Sequence, residues 1–225
     1  PWHRPGTHQV IRSPRNPCLC HCPFTRYRLR SRKAGRHPPR IHPGQITILA
    51  DDATEPDASA ALKRVIGDKP IDLLLANAGA MGVSGQSFGS VDVEVMLNLV
   101  RINALAPLKL VEALVDNITS SDRMLIAFQS SLMGSIGDNG SGGFYAFRVS
   151  KAALNMIAKG VSNYLRSRDV IAVTLHPGWV KTRMGGKNAP VTVEQSVAGQ
   201  QRLLDSLTPK DSGHFFNFDG KKLPW

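Results

Sequence analysis

Between Gln45 and Trp225, short apolar runs alternate with longer amphipathic ones. Ile46-Thr-Ile-Leu-Ala50, Ile71-Asp-Leu-Leu-Leu-Ala76, Met124-Leu-Ile-Ala-Phe128 and Val170-Ile-Ala-Val-Thr-Leu175 have strand length and are apolar at nearly every position. That is the pattern of strands buried on both faces rather than on one. Each run stops at a polar or turn-forming group: Asp51-Asp52, Asn77-Ala-Gly79, Ser130-Ser131 and Pro177-Gly178. Helical periodicity fills the gaps. The spacing predicts a helix from Pro56 to Ile66 closed by Gly67, and a long one from Val91 to about Asp116, interrupted near Pro107. It predicts two more, one opening after Gly143 and ending near Arg166, the other over Val193–Leu207. His214-Phe-Phe-Asn-Phe218 follows, before a turn at Asp219-Gly220. Strands alternating with helices predict an α/β domain whose parallel sheet is covered on both faces. In such a sheet the functional site lies beyond the carboxyl ends of the strands. Asp52, Asn77, Ser131 and Pro177 all fall on that rim.

Residues 1–44 obey neither period and are broken by proline every few positions. They contain ten Lys and Arg with no Asp or Glu, all three cysteines and five of the seven histidines. They thus carry ten of the eleven formal positive charges, and the pI near 10 describes this segment rather than the body. The chain therefore divides into a basic segment, 1–44, expected to be disordered, and a nearly neutral domain, 45–225. The arginines lack the helical spacing and interleaved aromatics of a nucleic-acid arm, so no nucleic-acid partner is expected. Cys18-Leu-Cys-His-Cys22 crowds its ligands too closely for a tetrahedral centre, so no metal site is expected either. One further reading concerns the codons. Shifted by one base, Pro1-Trp-His-Arg-Pro5 permits Arg-Gly-Ile-Gly, and Cys18–Pro23 reads as Val/Ala and Ile/Thr, a strand composition. A frame error in this segment is the expectation. The body has no cysteine and no apolar run of membrane-spanning length, which fits a cytoplasmic protein without a membrane partner.

The chemistry concentrates in Gly143-Phe-Tyr-Ala-Phe-Arg-Val-Ser-Lys-Ala-Ala-Leu-Asn-Met156. Lys151 is a lone cation on an otherwise small and apolar helical face. Residue 147, one turn earlier, shares that face. A hydroxyl there would have its pKa lowered by the lysine and could protonate a carbonyl near neutral pH. The residue is Phe147, which has no hydroxyl. Tyr145 does not substitute, because two residues rotate a side chain by about 200° around the helix.

Taken together, these pieces resemble the short-chain dehydrogenase/reductase family over roughly residues 41–225. Asn77-Ala-Gly79 resembles the family's turn after the fourth strand, and Asn103 its helix asparagine holding a proton-relay water. Ser131, with Gly134 three residues on, resembles the catalytic serine. Ser150-Lys151 resembles the lysine end of Tyr-x-x-x-Lys, and Pro177-Gly-Trp-Val-Lys-Thr182 the nicotinamide-side loop. The loop Gly134–Gly143 and the ending Phe216–Trp225 are similar to those of C-factor-like carbonyl reductases, a branch that includes norsolorinic acid ketoreductases of polyketide pathways.

The resemblance implies a Rossmann-type doubly wound parallel sheet. It also implies NADP, with NAD not excluded, and hydride transfer to a small-molecule carbonyl compound. Asn103, Ser131, Lys151 and the altered Phe147 would form the catalytic set. Asp52, or alternatively Asp51, would contact the adenine. Asn77 and Gly79 would lie along the adenosine half, Lys151 at the nicotinamide ribose, and Pro177, Val180 and Thr182 at the carboxamide. A homodimer or homotetramer is implied by the same route. Two departures stand out: Phe147 in the tyrosine position, and no Gly-x-x-x-Gly-x-Gly loop before Gln45. The expectation is thus a sheet lacking its first two strands, with Gln45–Asp51 left without a neighbour. It also leaves open an alternative, a catalytically impaired family member that binds a nucleotide or a partner.

Overall fold

The computed structural model describes residues 8–9, 18–22, 46–50, 52–55, 57–83 and 86–225. The strands are β1 (His8–Gln9), β2 (Cys18–Cys22), β3 (Ile46–Ala50), β4 (Leu73–Ala76), β5 (Leu125–Gln129), β6 (Ile171–His176) and β7 (Phe215–Asn217). The helices are α1 (Ala58–Ile66), α2 (Val93–Val100), α3 (Ala106–Thr119), α4 (Tyr145–Tyr164) and α5 (Val193–Ser206). Strands β4-β5-β6-β7 form a four-stranded sheet in that order, parallel throughout. The sheet is built from the apolar runs seen in the sequence, and β4 and β5 are buried at every position.

The remaining strands correct one expectation. Strand β3 has a neighbour: β2 pairs with it in parallel, Cys18 opposite Ile46 and Cys22 opposite Ala50. Strand β1 pairs antiparallel with β2 and comes alongside β4. Two pieces of the basic segment, His8–Gln9 and Cys18–Cys22, are therefore strands rather than disordered chain. Backbone hydrogen bonding explains why periodicity missed them. A sheet edge recruits whatever extended chain satisfies its N–H and C=O groups, with little demand on side-chain pattern. The rest of 1–44 lies outside the described residues.

Helices cover both faces of the four-stranded sheet. Leu62 and Ile66 of α1, Leu110, Val111, Leu114 and Ile118 of α3, and Leu154 and Ala158 of α4 pack on Ile126, Phe128 and Ala172. On the opposite face, Leu203 and Leu204 of α5 pack on Leu73, Leu75, Leu125, Ala127, Val173 and Leu175. This alternation along each strand is the doubly wound arrangement expected for the class. Local signals set the helix starts. The Asp92 side chain accepts from Val95 N–H at α2, and Thr192 and Gln195 form a reciprocal capping box at α5.

The long helix breaks just before Pro107 rather than at it. Arg101–Leu105 forms a π turn between α2 and α3, and Ala106 N–H bonds back to Arg101 O, five residues away. Proline at the second position of α3 lacks an N–H and crowds the preceding carbonyl, and the wider turn absorbs both.

Candidate active site

Four elements meet at the carboxyl end of the parallel sheet. Helix α4 brings Phe147 and Lys151, the β5 end brings Gln129 to Ser131, the β4 end brings Asn77 to Ala80, and the π turn brings Asn103.

Lys151 is 5% exposed, and its Nζ donates to Gln129 O at 2.9 Å. Burial alone, with no acidic partner among the causes, lowers its pKa from 10.5 to about 8. The backbone of Lys151 also packs against the turn that carries Ser131. A β-carbon on Gly134 would lie 2.8 Å from both the Lys151 carbonyl carbon and its β-carbon, so only glycine allows this approach. Ser131 itself caps the 3-10 turn Leu132–Gly134, its Oγ accepting from Met133 N–H at 3.2 Å.

Asn103 is fully buried and holds the loop after β4. Its Oδ1 accepts from Ala80 N–H at 2.8 Å, and its Nδ2 donates to Ala80 O and to Ser150 Oγ, both at 2.8 Å. Ser150 in turn donates to Phe147 O at 2.7 Å. The carboxamide is thus occupied by protein groups and acts as a clamp between the β4 loop and α4. Gly79 sits where Asn103 and Lys151 converge. A β-carbon there would stand 3.2 Å from Asn103 Oδ1 and 3.3 Å from Lys151 Nζ.

Phe147 is 6% exposed and packs with Val95, Leu99, Ala146, Ala80, Met81, Met96 and Met133. A phenyl ring in this position is a well-solvated-by-hydrocarbon side chain, not a misplaced one. Tyr145, two residues earlier, is half-buried elsewhere on the helix, with its N–H bonded to Gln86 O.

Three supporting residues escaped the sequence reading. Asn155 accepts from Ser130 Oγ at 2.6 Å and donates to Gly134 O at 3.0 Å, which pins the Ser131 turn to α4. The Arg148 guanidinium donates to Gly142 O, Gly143 O, Met133 O and Ser141 Oγ, holding the loop between β5 and α4. Gln129 is 8% exposed, and its Oε1 is buried without a partner among the described residues. For Arg148 and Asn155 the available signal was their polarity on α4, near Lys151.

The remaining predicted residues lie around this centre without joining it so closely. Asn77 follows β4 directly and is half-buried. Pro177 follows β6, and its carbonyl accepts from Ser196 Oγ. Val180 bridges to Val191, and Thr182 Oγ1 accepts from Gly185 N–H, so both serve the fold of their own loop. Asp52 lies after β3, beyond the β1-β2-β3 sheet, with Oδ1 accepting from Thr54 N–H and Thr54 Oγ1. Asp51 lies outside the described residues. Among the described residues no group of three or more His, Cys, Asp or Glu could hold a metal ion, and no helix is long and apolar enough to cross a membrane.

Residues 30–191 match the short chain dehydrogenase family. The chain is 42% identical to C-signal of Myxococcus xanthus over 156 residues, covering 69% of this chain and 93% of that protein. It is 34% identical to 1-hydroxy-2-glutathionyl-2-methyl-3-butene dehydrogenase of a Rhodococcus species, covering 77% and 78%. Among solved structures, the carbonyl reductase Sniffer of D. melanogaster superimposes with a TM-score of 0.75 at 34% identity, covering 80% of this chain and 79% of that one. The NADPH-bound carbonyl reductase from chicken fatty liver gives 0.74 at 32% identity, covering 80% and 78%. The chain belongs to the short-chain dehydrogenase/reductase family, whose solved members share its Rossmann-type fold.

Proposed function

We propose that this chain is a carbonyl reductase of the short-chain type that takes NADP, and that Phe147 has weakened its proton delivery while its nicotinamide-side site is kept. The observation that carries the proposal is Lys151, buried without an acidic partner, its Nζ held on Gln129 O beside Gly79. A buried cation costs stability unless something in the site uses it.

The nicotinamide half of the cofactor fits the residues present. Lys151 has further N–H donors for ribose hydroxyls. Gly79 lets the β4 loop come close to Asn103 Oδ1 and Lys151 Nζ, and Gln129 Oε1 offers an acceptor with no partner among the described residues. The phosphate half has less support, since no glycine-rich loop precedes Gln45. When bound, the reduced nicotinamide supplies a hydride. Ser131, whose Oγ accepts from Met133 N–H, keeps its own O–H to donate to a substrate carbonyl oxygen. Lys151 favours negative charge developing on that oxygen. With a phenyl group at 147, the proton comes from water ordered by Ser131 and the Lys151 ammonium. Loss of a positioned general acid costs about 10²–10⁴ in rate.

An apolar or aromatic ketone suits the Met81, Met96, Met133 and Phe147 cluster beside this centre. Polyketide tailoring is the setting suggested by the Gly134–Gly143 loop and the Phe216–Trp225 ending. A second reading, a nucleotide- or partner-binding protein that reduces nothing, is favoured by how completely Phe147 is sealed in that cluster. Phe147→Tyr separates the two. Ketone-dependent oxidation of NADPH that rises by about 10²–10⁴ supports the reductase. No rise at unchanged NADPH affinity supports the binding protein.

A further inference from the structure

Gln129 closes β5, and its two polar groups point to different tasks. Its backbone carbonyl holds Lys151 Nζ on the side of α4. Its side chain follows the alternation of the strand onto the other face, with Leu125 and Ala127. There Oε1 is buried and has no hydrogen-bond partner among the described residues. An unpartnered buried acceptor is rare in native structures and costs stability, so a partner from outside the chain is the ordinary explanation.

The location says what kind of partner. Strand register sets Leu175 opposite Gln129, and Phe128 opposite Ala76, so Gln129 is level with Asn77. The orphaned oxygen therefore sits on the carboxyl rim between Asn77 and the Pro177 turn. Leu75, Ala127 and Leu175, which share that face, offer a bound group no polar partner, and Asn77 is the polar residue level with Gln129. A ligand group carrying its own N–H or O–H needs only the one acceptor. The other two orphaned buried atoms, Thr174 Oγ1 and His176 Nδ1, belong to the opposite sheet face with Ala172 and do not share this position.

We propose that Gln129 is a cofactor-positioning residue whose side-chain oxygen accepts a hydrogen bond from an amide or hydroxyl hydrogen of the nicotinamide half. This rests on the function proposed above. With Lys151 on one side of the strand end and the Gln129 carboxamide on the other, a single residue ties the two grips together through its backbone and side chain. A hydrocarbon side chain at this position would supply shape but not direction.

The test compares the parent protein with Gln129→Met and Gln129→Glu, by NADPH fluorescence titration and by thermal unfolding without ligand. Methionine matches the glutamine in size and removes the orphaned acceptor. The unliganded Gln129→Met protein is expected to melt no lower than the parent, while its NADPH dissociation constant rises about tenfold. Gln129→Glu keeps an acceptor oxygen and is expected to bind within a few-fold of the parent. Equal NADPH affinity in parent and Gln129→Met overturns this inference and leaves the reductase reading standing. A large drop in the unliganded melting temperature of Gln129→Met also overturns it, by assigning Gln129 a structural role. A parent protein that does not bind NADPH overturns both.

Discussion

Phe147 and Lys151 are one helical turn apart on the same face of α4, and their surroundings are opposite in kind. Around Phe147 lie three methionines, two alanines, Val95 and Leu99, and the Ser150 hydroxyl bonds its backbone carbonyl. Around Lys151 lie a backbone carbonyl, the Asn103 carboxamide, Gly79 and the tightly packed Gly134 turn. The first turn has been closed with hydrocarbon, while the second keeps a buried cation and the groups that fix it. Substrate protonation and cofactor retention are normally read as one constellation. Under the function proposed above they separate, because each is anchored by different neighbours. Phe147 is 6% exposed within its apolar cluster. Losing the amine at 151 would remove the Nζ bond to Gln129 O, one of several ties between α4 and the β5 end.

The sharpest way to break this comparison is Lys151→Met. Removing charge-assisted donors is expected to weaken NADPH binding by about 10–100-fold. The same change removes a buried charge, so stability moves the other way, with a defined pH dependence. The folded-state pKa of Lys151, about 8, lies below its ordinary 10.5, so the penalty is full below pH 8 and is relieved as pH rises from about 8 to 10.5. The melting-temperature gap between Lys151→Met and the parent is expected to be widest at pH 7 and to close by pH 10. A gap independent of pH would show that the amine is not buried as described.

Asn103→Ala probes the clamp shared by both turns. It deletes three hydrogen bonds and strands Ala80 N–H, at a cost of about 2–3 kcal/mol, or roughly 5–10 °C in melting temperature. If Asn103 served only to hold a water, the loss would be far smaller.

An effect confined to acid pH concerns His176, whose pKa is pushed down to about 4, mainly by burial and against the pull of Asp138 and Asp219. The unfolded chain takes up this proton near pH 6.5 and the folded chain only near 4, so its contribution is present above 6.5 and lost as pH falls through 4. His176→Asn is expected to flatten the fall in melting temperature over that window without altering NADPH affinity at neutral pH.

Much of this was legible in the sequence, for physical reasons. Fully apolar runs such as Leu73–Ala76 and Leu125–Phe128 read as strands covered on both sides, so the sheet and its rim followed. Boundaries moved by a residue or two because ladder hydrogen bonds, not hydropathy, end a strand. The π turn at Arg101–Leu105 was invisible, since an i−5 bond leaves no distinctive spacing, and Pro107 only marked its vicinity. Gln129 passed unnoticed because a polar residue closing an apolar strand looks like an ordinary solvent-facing end. Strands β1 and β2 were missed because edge pairing uses backbone groups that every residue carries.

The function proposed above has the nicotinamide-side grip outliving the proton donor. The most direct measurement is a titration of NADPH against the purified chain, followed by the fluorescence of the reduced nicotinamide. The account predicts saturable binding by the chain with Phe147 in place, at an affinity within a few-fold of the Phe147→Tyr variant. Binding that is absent in the parent and restored only by tyrosine would contradict it.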